Sequence, residues 1–194
     1  MRTPLLTLVA LLAVGAMTAA VAAPVTYDVD PDHTHPAFEA DHFGGLSVWR
    51  GIFARTHGTI VLDKTGQSGS VDIHVDVSSV LTGQDQVDQV IKGPELFDTA
   101  KYPEFHYQGT LGGFKDGTPT TVTGSLTMHG VTKPLTLNIG SFKCMPHPLF
   151  KREVCGADAS GMLMRDEYGM TSGKEYGFKM GVILHIQVEA IAEK

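Results

Sequence analysis

The stretch SVDIHVDVSSV, residues 70–80, places Val71, Ile73, Val75 and Val77 on one side of an extended chain and Asp72, His74 and Asp76 on the other. The same period of two recurs along the chain. Phe38, Ala40 and His42 alternate with Glu39 and Asp41, and Phe105 and Tyr107 flank His106. Leu126 and Met128 follow it, as do Leu135, Leu137 and Ile139. The last segment carries Met180, Val182, Leu184, Ile186, Val188 and Ala190 on one face. The turn-forming stretches DKTGQSG, FKDGTP and HGVTKP separate these segments. So many half-apolar strands require either an antiparallel sandwich or an up-and-down barrel, and alternation is common to both. A lipid-facing barrel is disfavoured. Membrane strands need about 9–11 residues and aromatic girdles at both rims, whereas these runs are mostly shorter and the chain has nine Phe, five Tyr and one Trp. The apolar faces are therefore expected to point inward, with residues 23–194 forming one domain.

The stretch TGQDQVDQVIKGPELFD breaks the alternation. Thr82 followed by Asp85 resembles a capping box, Asp85 and Asp88 sit early, Lys92 sits late, and Gly93-Pro94 ends the segment. Val87, Val90 and Ile91 share one face. The expectation is a helix of about two turns over Thr82–Lys92, capped by Thr82. A helix this short needs an apolar surface to dock on, such as the end of a barrel.

The first residues read as a secretory leader. Arg2 precedes an apolar run from Leu5 to Val14, and Ala20-Val21-Ala22 fits a small-x-small cleavage site. Residues 1–22 are thus expected to be removed, leaving an exported chain. Removing Arg2 from the 15 basic residues leaves 14 against 21 acidic, a net charge of −7. This balance excludes a basic nucleic-acid footprint. The two cysteines, Cys144 and Cys155, flank a Pro-containing stretch and match no CxxC redox or zinc spacing. In an oxidising compartment they are expected to form a structural disulfide. There is no GxSxG, Walker or GxGxxG motif and no HExxH. The nine histidines lack accompanying cysteines in metal-ligand spacing, so neither a metal nor another cofactor is expected.

With these segments in order, the chain resembles the YceI-like family of bacterial periplasmic, polyisoprenoid-binding proteins. The resemblance rests on YDVDPDHTHPAFEADHFG (Asp30, His33, Thr34, Phe38, Ala40, His42), WRGIFARTHGTIVLD, YPEFHY, GSLTMHGVTKPLTL and MRDEYGM. It covers nearly all of the mature chain. It implies an all-β fold, an eight-stranded antiparallel lipocalin-like barrel with one short helix at a barrel mouth. It further implies a periplasmic carrier holding a long-chain lipid or isoprenoid in an apolar lumen. One departure is that the family's usual His–Leu pair in the helix is Val90–Ile91 here, which makes the lumen more apolar.

The lumen candidates from alternation are Phe38, Ala40, Phe53, Val71, Ile73, Val75, Phe105, Tyr107, Leu126 and Met128, for which a plain packed core is the competing reading. His42 faces inward by the same alternation, as a hydrogen-bonded histidine. Val87, Val90, Ile91 and Phe97 belong to the helix region. Met164, Met170 and Met180, near Met162, offer adaptable contacts to a flexible tail. The resemblance places Arg165, Asp166 and Tyr168 at the mouth, as head-group contacts or as a structural salt bridge. Two rival functions stay open: an enzyme acting on a lipid or isoprenoid, which would show turnover, and a stress-related interaction module with a filled core. Whether the protein forms a homodimer is also left open.

Overall fold

The computed structural model describes residues 23–194; the expected leader, residues 1–22, lies outside them. Eleven strands make one sheet: β1 (Val25–Val29), β2 (His35–His42), β3 (Ser47–Phe53), β4 (Thr56–Asp63), β5 (Ser68–Asp76), β6 (Val80–Leu81), β7 (Glu104–Gly112), β8 (Thr121–Met128), β9 (Val131–Pro146), β10 (Glu153–Met164) and β11 (Gly181–Ala192). Among the described residues one α-helix, α1 (Asp85–Lys92), lies between β6 and β7.

The sheet closes because β11 pairs with both N-terminal segments: Val182–Gln187 against β2, and Ala190–Ala192 against β1. β1 and β2 are therefore one long strand with a break. The same holds for β3 with β4 and for β5 with β6, each pair running along the same neighbouring staves with the register offset at the break. The eleven segments reduce to eight staves, all antiparallel, in a closed up-and-down barrel. This decides between sandwich and barrel.

Side chains bridge the breaks in the ladder. At the first break, Thr34 Oγ1 donates to the Glu189 carbonyl and accepts from the Glu189 N–H, both at 3.1 Å. His33 Nδ1 lies 2.9 Å from Asp30 Oδ2 beside it, so this part of the N-terminal motif holds the kink. At the second break, the Arg55 N–H donates to Ser79 Oγ at 3.0 Å, and the Arg55 guanidinium pairs with Asp76 at 2.7 Å. These side chains supply partners to the Glu189 and Arg55 backbone groups where the strands change direction.

Strand direction sorts the connections into two ends. The start of β1, the end of β11 and the β4–β5, β7–β8 and β9–β10 turns share one end. There the Tyr27 hydroxyl donates to Glu153, Lys64 Nζ lies 2.7 Å from the same carboxylate, and Tyr27 and Pro119 are fully buried. The β2–β3 turn, α1, the β8–β9 turn and the long β10–β11 connection share the other. The β8–β9 turn is two residues, His129 (φ 52°) and Gly130 (φ 75°), the positive-φ pair that a tight hairpin requires.

The helix begins later than expected. Gln84 is its N-cap, without a side-chain hydrogen bond, and Thr82 stands two residues outside. Thr82 instead donates from both its N–H (2.7 Å) and its Oγ1 (2.6 Å) to Asp88 Oδ1, and Asp88 is buried. The carboxylate thus reaches back from inside the helix, reversing the polarity of the expected cap.

Cys144 and Cys155 are direct cross-strand partners on β9 and β10 and form a disulfide, as expected.

Candidate functional site

The inward faces of the staves do not meet. They enclose a cavity of about 660 Å³ whose wall is almost entirely carbon. Of the sequence-derived candidates, Phe38, Ala40 and His42 on β2, Phe53 on β3, and Val71, Ile73 and Val75 on β5 line it. So do Phe105 and Tyr107 on β7, Leu126 and Met128 on β8, Val87, Val90 and Ile91 on α1, and Phe97, Arg165 and Met170. Alternation carries this result: an inward residue is followed by an outward one wherever the ladder is regular.

Three candidates are corrected. Met164 is the last residue of β10 and points outward, since Leu163 takes the inward position; Met162, two residues earlier, is also exposed. Tyr168 is 1% exposed but packs within the β10–β11 connection, away from the cavity. Met180 is buried at the foot of β11 and does not reach the wall. Of the late methionines only Met170 faces the lumen. Val90, expected to be at least partly buried, is 66% exposed while also bordering the cavity, so it marks the opening. Gln86, one turn earlier, is likewise both exposed and on the cavity wall.

Several wall residues escaped the sequence-based site. Trp49, Ile60, Leu62 and Leu163 lie on strands whose alternation was legible but unused. Phe142 is different. Ile139 pairs with Ala159 and Ser141 with Asp158, so Gly140 bulges out of the ladder. The bulge shifts the inward phase of β9 from odd to even residues, which brings Phe142 to the wall; no periodicity carried across Gly140 would find it. Cys155 also lines the cavity, so the disulfide stands against the inner wall.

Beneath α1, Phe97 packs on Phe38, Phe53 and Phe105 with ring centroids 6.3, 5.8 and 5.3 Å away. Such tilted and edge-on pairs stabilise beyond their burial. Phe97 is held by its N–H, which donates to the Ile91 carbonyl at 3.0 Å. Across the mouth, His42 sits among Phe43, Trp49 and Phe178, with centroids 4.4, 5.4 and 5.1 Å away.

Few polar groups touch the cavity. The Tyr107 hydroxyl lies 3.0 Å from the Leu135 carbonyl and 3.2 Å from that of Val122, and burial pushes its pKa up to about 12. Arg165 is 9% exposed and donates to the carbonyls of Met170 (2.8 Å) and Ser172 (2.6 Å). Burial lowers its pKa, partly offset by Asp166. Arg165 makes no ion pair among the described residues, whereas Asp166 pairs with Lys174 at 2.8 Å. The structural salt bridge left open for this signature is formed by Asp166, with Lys174 as its partner. Arg165 braces the β10–β11 connection and leaves its charge beside the lumen.

A closed eight-stranded up-and-down barrel with a deep apolar cavity open at one rim belongs to the class whose interior has room for one small ligand. The chain belongs to the YceI-like domain family, whose model matches residues 27–191. It is 29% identical to the protein YceI of Salmonella arizonae over 176 residues, 90% of each chain. It is 34% identical to the protein YceI of Escherichia coli O6:H1 over 119 residues, a stretch covering 61% of each. Among solved structures, BcnA of Burkholderia cenocepacia superposes with a TM-score of 0.66 at 16% identity, covering 84% of this chain and 99% of that one. A polyisoprenoid binding domain from Saccharophagus degradans does so with a TM-score of 0.62 at 16% identity over 87% and 99%. The Campylobacter jejuni YCEI protein matches at 0.64 and 23% identity over 77% and 88%. These structures share the fold.

Proposed function

We propose that the protein binds one long-chain amphiphile, a polyisoprenoid or a fatty-acid derivative, tail-first in the barrel and acts as its periplasmic carrier or sink. The observation that carries this reading is the apolar cavity of about 660 Å³ opening beside α1. A filled core would leave no such space, and a volume of this order is typical of ligand sites. Each buried CH₂ contributes about 0.8 kcal/mol, so a dozen would give roughly 10 kcal/mol before association costs. An uncharged tail therefore suffices for useful affinity. The head group belongs at the rim, near His42, Ser172 and the unpaired charge of Arg165. Fold kinship with a domain described as polyisoprenoid binding supports the ligand class. The leader expected over residues 1–22 and the Cys144–Cys155 disulfide support export to an oxidising compartment.

Native mass spectrometry of the purified protein followed by solvent extraction tests the proposal. One lipid per chain is expected, lost in Ile73→Glu while the barrel stays folded by circular dichroism. A protein that is isolated empty and takes up neither polyprenyl nor fatty-acyl ligands would overturn it.

A further inference from the structure

Three histidines form a row on the outside of the barrel. His57 on β4 is the register partner of His74 on β5, and His74 is the partner of His106 on β7. Their rings stack nearly parallel, His57 on His74 at 5.1 Å and His74 on His106 at 4.2 Å between centroids. His74 lies between the lumen residues Ile73 and Val75, and His106 between Phe105 and Tyr107, so the row stands on the opposite side of the wall from these four.

Two carboxylates are built into the row. Asp72 Oδ1 lies 3.2 Å from His74 Nε2 and 2.7 Å from His106 Nε2. The donor atoms of Asp72, His74 and His106 all fall within 4.8 Å of one another. In a tetrahedral zinc site with ligands about 2.0–2.1 Å from the metal, neighbouring donors stand about 3.3 Å apart. The two imidazoles stack 14° from parallel, so turning both rings until their in-plane lone pairs converge would make this contact triangle three ligands around one ion, with the fourth position open to solvent.

The groups behind the triangle match what a metal site needs. The far nitrogen of His74, Nδ1, lies 2.7 Å from Glu104 Oε1, the carboxylate–imidazole arrangement that fixes the tautomer presenting Nε2 to a metal. The second oxygen of Asp72, Oδ2, accepts from Gln108 Nε2 at 3.0 Å, which orients the carboxylate. Asp72 and Glu104 together balance a divalent charge, and their strands are fixed in a closed sheet. None of these groups touches the lumen.

We propose that Asp72, His74 and His106 bind one divalent transition-metal ion, zinc by preference of ligand type, on the outer wall, with Glu104 and Gln108 as positioning residues. Two imidazoles and one carboxylate select first-row ions such as Zn²⁺ and Cu²⁺ over Mg²⁺ and Ca²⁺, which prefer all-oxygen sites.

Isothermal titration with ZnCl₂ near pH 7.5, in a non-chelating buffer, tests this. One ion per chain is expected, with no response to MgCl₂. His74→Ala and His106→Ala should each weaken binding at least tenfold, and Glu104→Gln by about 10–100-fold. His185→Ala, on a distant part of the wall, should leave it unchanged. Co²⁺ should give the visible absorption of a tetrahedral site in the wild type and lose it in His74→Ala. The proposal is overturned if no saturable zinc binding occurs, or if binding survives in the His74→Ala, His106→Ala double variant. Because the row lies outside the lumen, lipid loading is expected to be unchanged in these variants.

Discussion

Gly51 and Phe38 face each other across β2 and β3, and the Phe38 ring occupies the space where a side chain at residue 51 would begin. A Cβ at Gly51 would lie 2.5 Å from Phe38 Cζ. The glycine thus lets an aromatic ring lie flat against the barrel wall and frame the lumen near its mouth. Gly51→Ala should destabilise the protein by about 1–3 kcal/mol through overpacking. Urea unfolding measures this, and adding Phe38→Leu should recover part of the loss. Purely additive effects of the two changes would show that the contact is not the cause.

The disulfide should contribute to stability. Cys144 and Cys155 are 11 residues apart, and linking them constrains the unfolded chain by about 3 kcal/mol. Replacing both with Ser should lower stability by that order in denaturant melts. Cys155 is 8% exposed against the inner wall, so reduction of the native protein should be slow and should accelerate in urea. Equal alkylation with and without urea would contradict the buried placement.

At the helix, stability and ligand retention should separate. Asp88→Ala leaves the Thr82 amide without its acceptor and should cost about 1–3 kcal/mol, read as faster amide exchange across residues 82–92. Val90→Asp, at an exposed position, should change stability by no more than about 0.5 kcal/mol while shortening the residence of a bound lipid. Equal effects of Val90→Asp on melting and on lipid release would argue against α1 as the mouth.

Acid should destabilise the barrel at the Glu153 carboxylate and at Asp76 beside the second ladder break. Burial raises the Glu153 pKa, but hydrogen bonds from Lys64 and Tyr27 outweigh it and hold the carboxyl below its ordinary value. At Asp76, burial is likewise outweighed by Ser78 and Arg55. Both folded values lie below the unfolded ones. The stabilisation is therefore complete above the unfolded carboxyl range, about 4–4.5, and is lost as pH falls through the folded values. The melting temperature should be level from pH 7 to about 5 and fall below about 4. Glu153→Gln should melt lower at pH 7 and show a shallower acid slope. A wild-type decline beginning near pH 6 would assign the dependence to histidines instead.

What the sequence determined by itself is which face each residue takes within a strand. A strand's side chains alternate because of backbone geometry alone, so SVDIHVDVSSV and its counterparts sorted inner from outer residues before any neighbour was known. The choice of barrel over sandwich needed long-range pairing: β11 closes the sheet by meeting both β1 and β2, and alternation is identical in either architecture. Phase also changed only in three dimensions, where the Gly140 bulge turned Phe142 inward. Met164, Tyr168 and Met180 were misplaced because they lie at or beyond strand ends, where packing of the connection rather than the pleat sets direction. The row of His57, His74 and His106 was invisible for a related reason. Period two gave the outward face of His74 and His106, but inter-strand register, which the closed ladder fixes, decides that they stack on one another and share Asp72.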